Sequence, residues 1–112
     1  MTGSFIHDKI ISDLERRLIN YGHETKSCVE YKVNKQVGEI DLFGISYKYN
    51  TIFSIEVKTT NNHKKRWKAM KQLRKDAKYL SQLYPTMDIV SFYAYSARNS
   101  KGYKIERIKE IR

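Results

Sequence analysis

The sequence is short of the residues that build disulfides and cysteine-based metal sites. Cys28 is the only cysteine among 112 residues, so an internal disulfide is excluded, and so is a zinc site made of cysteines. No apolar run approaches the roughly 20 residues of a membrane-spanning helix, and the first residues lack the apolar centre of a signal peptide. These features suit a reducing compartment, and we expect an intracellular, cytoplasmic protein without a membrane partner.

Acidic residues are also scarce. The chain has 12 Asp and Glu against 22 Lys and Arg, which gives a formal charge of +10. Such an excess indicates a polyanionic partner, with nucleic acid as the first candidate and an anionic membrane as the second, although a solvated basic surface is an alternative. The hydrophobic fraction of 40% supports a packed core, and the length fits one domain over residues 1–112.

The spacing of apolar residues predicts an α/β fold. Residues 5–21 and 62–84 carry apolar side chains at helical spacing, and Pro85 ends the second helix. The tail from Tyr103 fits a strand or a short helix. The order αβββαβ predicts a central mixed sheet flanked by helices. Branched and aromatic residues predict the four strands, which cover residues 24–33, 37–46, 51–59 and 88–96.

Two acids and a lysine fall on the second and third predicted strands. Side chains alternate along a strand, so Glu56 and Lys58 share one face. By the same alternation Asp41 points away from both Ile40 and Leu42. Polar groups therefore gather on one face of a strand pair whose other face is apolar.

The turn between these strands sets how the three groups meet. A four-residue loop over 47–50 places Asp41 opposite Glu56. A two-residue loop at 49–50 places Asp41 opposite Lys58 instead, and in both registers the groups converge. Two carboxylates at about 4 Å repel by roughly 4 kcal/mol, so such a site requires a compensating cation. Lys58 supplies one positive charge, and a divalent metal would supply two more. Mg²⁺ accepts one or two carboxylates together with water and phosphate.

The stretch GEIDL at 38–42, followed by EVK at 56–58, resembles the core motif of the PD-(D/E)xK nuclease superfamily. The similarity extends to the order of helix, hairpin, helix and strand over residues 5–96. The resemblance implies a restriction-endonuclease-like core and a metal-dependent endonuclease that hydrolyses phosphodiester bonds in DNA. The small size and basic charge are most similar to the archaeal and viral Holliday junction resolvases. That similarity implies a homodimer acting on branched DNA, and a restriction or repair nuclease acting on duplex is the alternative.

Carried over to this chain, the resemblance assigns roles to individual residues. Asp41 and Glu56 become ligands of Mg²⁺, for which Mn²⁺ substitutes, and Lys58 becomes the catalytic lysine. The main-chain carbonyl of Val57 becomes a further metal ligand. The polar residues placed to touch the phosphate are Thr59, Thr60 and, on the second helix, Gln72.

The first helix departs from the superfamily pattern. Relatives carry a glutamate there that faces the site, whereas the corresponding position in this chain is Ile11. His7, Ile11 and Glu15 lie four residues apart on one stripe, so His7 or Glu15 becomes the further ligand, and Asp8 is an adjacent alternative. A non-catalytic DNA-binding module with a degenerate site therefore stays open beside the nuclease.

The second predicted helix carries eight basic residues and one acid, Asp76. Like charges at i and i+4 repel, which favours contact with phosphates over a merely solvated helix face. If about six phosphates are neutralised, log affinity falls with log salt at a slope of about −5. Trp67 is expected in the core or at a dimer interface in preference to a base-stacking role. An adaptor for RNA or anionic membrane is the alternative function. The residues expected to contact DNA are Lys64, Lys65, Arg66, Lys68 and Lys71.

Overall fold

The computed structural model describes residues 5–97 and 102–109. Every predicted helix and strand is confirmed, with boundaries within one residue of the prediction. The tail that fitted either a strand or a helix forms a strand. The elements in chain order are α1 (Phe5–Asn20), β1 (Glu24–Val33), β2 (Gln36–Ser46), β3 (Thr51–Lys58), α2 (His63–Leu83), β4 (Asp88–Ser96) and β5 (Tyr103–Ile108).

The strands form one mixed sheet in the order β1-β2-β3-β4-β5. β3 and β4 are parallel, and the other neighbouring strands are antiparallel. A parallel pair needs a crossover connection, which α2 provides. The predicted α/β class, a mixed sheet flanked by helices, is therefore confirmed, and the arrangement is compatible with a restriction-endonuclease-like core. Within the described ranges, neither helix is both long and apolar enough to cross a membrane.

Local backbone signals fix where the elements begin and end. Gly22 follows α1 with φ +86°, a left-handed conformation that glycine adopts without strain. Asn50 has φ +53° in the β2–β3 turn, and its side-chain amide donates to the Thr86 carbonyl oxygen at 2.6 Å. Asn62 caps α2 by accepting a hydrogen bond from the Lys65 N–H at 2.9 Å. These residues set the lengths of the elements that carry the predicted site.

The two helices cover opposite faces of the sheet. Because Val57 faces α1, its strand neighbours Glu56 and Lys58 point toward α2. On the α1 face the buried apolar side chains are Ile10, Ile11, Leu14, Leu42, Ile55, Val57 and Ala94. On the α2 face they include Tyr31, Ile40, Phe43, Ile45, Ile52, Ala69, Leu73, Leu80 and Tyr93.

Strand β2 loses its regular alternation at Asp41. Ile40 packs on the α2 face together with Phe43, which lies three positions further along, whereas Leu42 packs against α1. The residue opposite Asp41 on β1 is Cys28, whose φ of +52° interrupts the regular ladder between the two strands. The expectation that Ile40 and Leu42 point the same way was therefore wrong, because the distortion resets the alternation at the acid.

Gly38 allows the ring of Tyr31 to lie directly against β2. The two residues are partners across β1 and β2, and a Cβ on Gly38 would overlap atoms of the Tyr31 ring. The ring also stacks on Tyr79 of α2, with ring centroids 4.1 Å apart. Tyr31 is thus held between the sheet and α2, where its hydroxyl reaches the buried part of the helix.

We expect Gly38→Ala to destabilise the protein by about 2 kcal/mol, because the new Cβ displaces a buried ring. Gly44→Ala on the same strand is the matched control. Its Cβ would meet the Leu18 side chain, with Cδ1 the nearest atom at 3.0 Å. This side chain can yield, so the cost should stay below about 1 kcal/mol. Urea unfolding at equal m-value measures both changes, and equal midpoints for the two variants would contradict the role of Gly38.

Candidate active site

A cleft opens where β2 and β3 meet the start of α1 and the first three turns of α2. It encloses about 430 Å³ and is open to solvent at one side. The cleft brings together the three residues for which catalytic roles were predicted, one from β2 and two from β3. Its lining consists of His7, Glu39, Asp41, Glu56, Val57, Lys58, Thr59, Lys65 and Gln72.

The β2–β3 register places Asp41 opposite Glu56. The paired positions run from Ser46 with Thr51 to Leu42 with Ile55, so the turn is the four-residue loop over 47–50. Past the last pair, the Val57 N–H donates to Asp41 Oδ2 at 2.8 Å. A carboxylate thus accepts a hydrogen bond from a strand N–H, and this bond orients the acid within the cleft.

Glu56 is a buried acid with incomplete pairing. Only 5% of the residue is exposed, and Lys58 Nζ lies 3.3 Å from its Oε2 atom. Among the described residues, Oε1 has no hydrogen-bond partner. Burial raises the pKa of Glu56 well above its ordinary value, the charge of Asp41 raises it further, and Lys58 opposes both effects. The positive charge of Lys58 therefore does not outweigh burial and the charge of Asp41 at this carboxylate.

The first helix contributes His7 to the cleft. Its Nε2 atom lies 3.4 Å from Asp41 Oδ2, and this contact raises the pKa of His7 above its ordinary value. Glu15 does not line the cleft, because its carboxylate accepts a hydrogen bond from the Thr25 hydroxyl at 3.1 Å. Asp8 is largely exposed beside His7. Of the alternatives on the first helix, the structure brings His7 to the acids.

The donor atoms in the cleft fit a divalent cation that brings ligands of its own. In the part of the chain that the structure describes, no group of three or more His, Cys, Asp or Glu side chains is arranged to hold a metal ion. Two carboxylates and an unpartnered buried oxygen on Glu56 are nevertheless present. Mg²⁺ commonly uses one or two carboxylates and takes its remaining ligands from water and phosphate. The site suits that mode of binding and does not suit a cage made of protein side chains alone.

The remaining predicted contact residues are distributed around the cleft. Thr59 and Lys65 line it, and Thr60 lines a neighbouring groove. Arg66 forms an ion pair with Glu106 of β5, so its charge is directed away from the cleft. Lys64 is exposed at the start of α2. The side chains of Lys68, Lys71 and Gln72 line a second groove along α2, which adjoins the cleft at Glu56 and Lys58.

Trp67 does not belong to the core. The residue is 61% exposed, so the expectation of a core position was wrong, although its spacing matches the apolar stripe of α2. The alternative expectation of a dimer interface stays a prediction. The ring lines the second groove, and Lys71 Nζ lies 4.5 Å from its centroid. An exposed indole of this kind is a feature of a binding surface.

A buried network that the sequence did not reveal holds Gln72. Asp76 is fully buried, and its Oδ1 atom accepts hydrogen bonds from the Tyr31 hydroxyl and from Gln72 Nε2, each at 2.7 Å. Gln72 Nε2 also donates to the Glu39 carbonyl oxygen at 3.0 Å. Burial raises the pKa of Asp76 to about 7. The burial of Asp76 could have been found from its spacing, because it lies three residues after Leu73 and four before Leu80 on the buried face of α2.

Asp76→Asn should weaken the pH dependence of stability. The pKa of Asp76 rises from 3.8 to about 7 on folding, so its contribution to stability is present at low pH and is lost as the pH rises through about 7. Asn cannot ionise. Between about pH 5 and about pH 8 the free energy of unfolding of the wild type should therefore fall more than that of the variant, by about 3 kcal/mol at most. Urea unfolding at both pH values measures this, and parallel decreases would contradict it.

Comparisons with known proteins add no family to these observations. No family model matches the chain, and no curated protein matches it. The resemblance to the PD-(D/E)xK superfamily therefore rests on the motif, the order of the elements and the meeting of Asp41, Glu56 and Lys58 in one cleft.

Proposed function

We propose that this protein is a metal-dependent endonuclease that hydrolyses phosphodiester bonds in DNA. The observation that supports the proposal best is the meeting of Asp41, Glu56 and Lys58 in one open cleft, where Glu56 keeps a buried oxygen without a partner. A formal charge of +10 favours approach of a polyanion to the surface that surrounds this acidic centre. Phosphodiester hydrolysis would use both features, because Asp41 and Glu56 could bind a cation and the positive charge of the protein would attract the nucleic acid.

The residues that would hold Mg²⁺ or Mn²⁺ are Asp41 and Glu56, with the Val57 main-chain carbonyl as a further donor and His7 beside Asp41. A bound ion of this kind supplies Lewis-acid stabilisation of the charge that develops at the scissile phosphate. The Val57 N–H keeps the Asp41 carboxylate fixed in the cleft. That fixed position reduces the reorganisation needed during the reaction.

Lys58 has two roles in the proposed mechanism. Its ammonium group lies 3.3 Å from Glu56 Oε2, so it holds this carboxylate in place. The same group presents positive charge to the phosphate and donates hydrogen bonds that orient the attacking water. Lys65 adds a second positive charge at the edge of the cleft, where a phosphate would enter.

The proposed assembly is a homodimer with two-fold symmetry. The described part of one chain contains one cleft with Asp41, Glu56 and Lys58, so cutting two strands calls for two chains. A four-way junction matches such a pair of sites, as in the resolvases that the sequence resembles. A restriction or repair nuclease would instead act on linear duplex.

Removal of either acid should abolish cleavage and leave binding intact. We expect Asp41→Asn and Glu56→Gln to lower the rate of cleavage by at least about a thousandfold, because each variant removes a charged ligand. Mg²⁺ should raise the melting temperature of the wild type and not of Asp41→Asn, since only the wild type gains stability from binding the ion. Cleavage of a four-way junction and of linear duplex of the same sequence measures activity and identifies the preferred substrate.

The matched control is Glu30→Gln, which removes an exposed acid from β1 outside the cleft. It should cut like the wild type. Absence of cleavage by the folded wild type, with Mg²⁺ and Mn²⁺ both tried, would overturn the nuclease and favour the non-catalytic DNA-binding module. That alternative gains support from the first helix, where Ile11 stands at the position at which the resemblance implies a glutamate.

His7 and Glu15 can be separated by substitution. We expect His7→Ala to weaken metal affinity and cleavage by about 10–100-fold, because His7 contacts and orients the Asp41 carboxylate that would hold the ion. Glu15→Ala should change neither by more than about twofold, since Glu15 is bound to Thr25. Mn²⁺ titration and cleavage rates measure both. Equal losses in the two variants would contradict the assignment of His7.

A further inference from the structure

The second groove adjoins the proposed active site and is lined by cations. It encloses about 800 Å³, and three of its lining residues, Glu56, Lys58 and Gln72, also line the cleft. A strand bound in the cleft can therefore continue into this groove without leaving the surface. The remaining residues of its lining are Gln36, Trp67, Lys68, Lys71, Arg74, Lys75 and Lys78.

The groove presents an indole ring among these charges. Trp67 is 61% exposed, and the group placed over its ring is the ammonium of Lys71, 4.5 Å from the centroid. Lysine ammonium groups are strongly hydrated and sit on flexible stems, so an incoming flat group can displace this one at little cost. The site therefore offers one stacking surface surrounded by phosphate-binding groups.

The ligand that fits both properties is a nucleic acid strand with unpaired bases. Lysines and an arginine neutralise phosphates, and an exposed aromatic face stacks on a base. Inside an intact duplex the faces of the bases are covered by their neighbours, so only an unpaired or unstacked base can reach Trp67. A second copy of this chain fits poorly, because a two-fold axis through the groove would set its cations against identical cations.

We infer that Trp67 is a stacking platform for an unpaired nucleobase, and that the substrate therefore carries unpaired nucleotides beside the scissile phosphate. That the bound DNA is a substrate rests on the proposed nuclease function, whereas the stacking itself does not depend on cleavage. The resulting substrate class is DNA with single-stranded character, such as a splayed junction, a flap or a bubble.

The experiment uses the fluorescence of Trp67, which is the only tryptophan in the chain. Asp41→Asn protein is titrated with a single-stranded oligothymidylate and with an abasic oligonucleotide of equal length. Stacking predicts quenching by the oligothymidylate and little quenching by the abasic strand. With end-labelled strands followed by fluorescence anisotropy, Trp67→Ala should bind the oligothymidylate about tenfold more weakly and the abasic strand as before, whereas Trp67→Phe should lose less of the affinity for the oligothymidylate.

The control for a merely exposed aromatic residue is Tyr49→Ala. Tyr49 is 66% exposed and has Lys48 Nζ 5.4 Å from its ring centroid, but it lies in the β2–β3 turn away from the groove. Its removal should leave both affinities unchanged. Equal quenching by the two strands, or equal affinity of Trp67→Ala and wild type for oligothymidylate, would overturn the inference.

Two further outcomes separate the inference from the proposed function. Cleavage of duplex by the wild type without quenching by single strands overturns the stacking role and leaves the nuclease. Quenching without cleavage supports the stacking role and overturns the nuclease. A dimer that forms without DNA in the wild type and not in Trp67→Ala, with quenching of the wild-type fluorescence as it forms, shows that a second copy covers the ring and overturns the inference.

Discussion

The hydrogen bond from the Val57 N–H to Asp41 Oδ2 joins the fold to its candidate site. At this point a carboxylate takes the place of a strand carbonyl as the acceptor. An ionised acceptor makes a stronger bond than a neutral one, so a buried acid can be held where β2 and β3 stop pairing. The same region shows the left-handed Cys28 and the reset of alternation along β2. The distortion therefore accompanies the placement of one acid opposite another.

The acids are retained at an electrostatic cost. Asp41 and Glu56 lie in a sheet interior, where an unpaired charge is expensive and an unpartnered oxygen adds to the expense. Lys58 and His7 offset part of it, one at each carboxylate. Neither group supplies the two positive charges of a divalent ion. A divalent cation bound between the two carboxylates, as proposed, would offset this deficit.

The sequence predicted the elements well and the local departures poorly. Backbone preference explains the turns and helix ends at Gly22, Asn50 and Pro85. The loop over 47–50 then fixes the register that places Asp41 opposite Glu56. The reset at Asp41 was not predictable from alternation, because it depends on a left-handed residue on the neighbouring strand. His7 and Glu15 lie on one stripe of the first helix, so periodicity could not tell which of them reaches the cleft. The hydrogen bond from Thr25 on β1, which holds Glu15 outside the cleft, is a tertiary contact.

Helix α2 shows why the same periodicity can mislead at two positions. Asp76 and Trp67 both fall on its apolar stripe, yet the acid is buried and the indole is exposed. Tyr31 and Gln72 stabilise the acid in the interior, and Gly38 makes room for the tyrosine. Trp67 lies in the first turns of α2, where the helix borders the second groove. Its side chain contacts Lys71 and does not pack on the sheet. The inner face of the helix is thus held by a buried polar network, and its outer face places an aromatic ring and several cations beside the cleft.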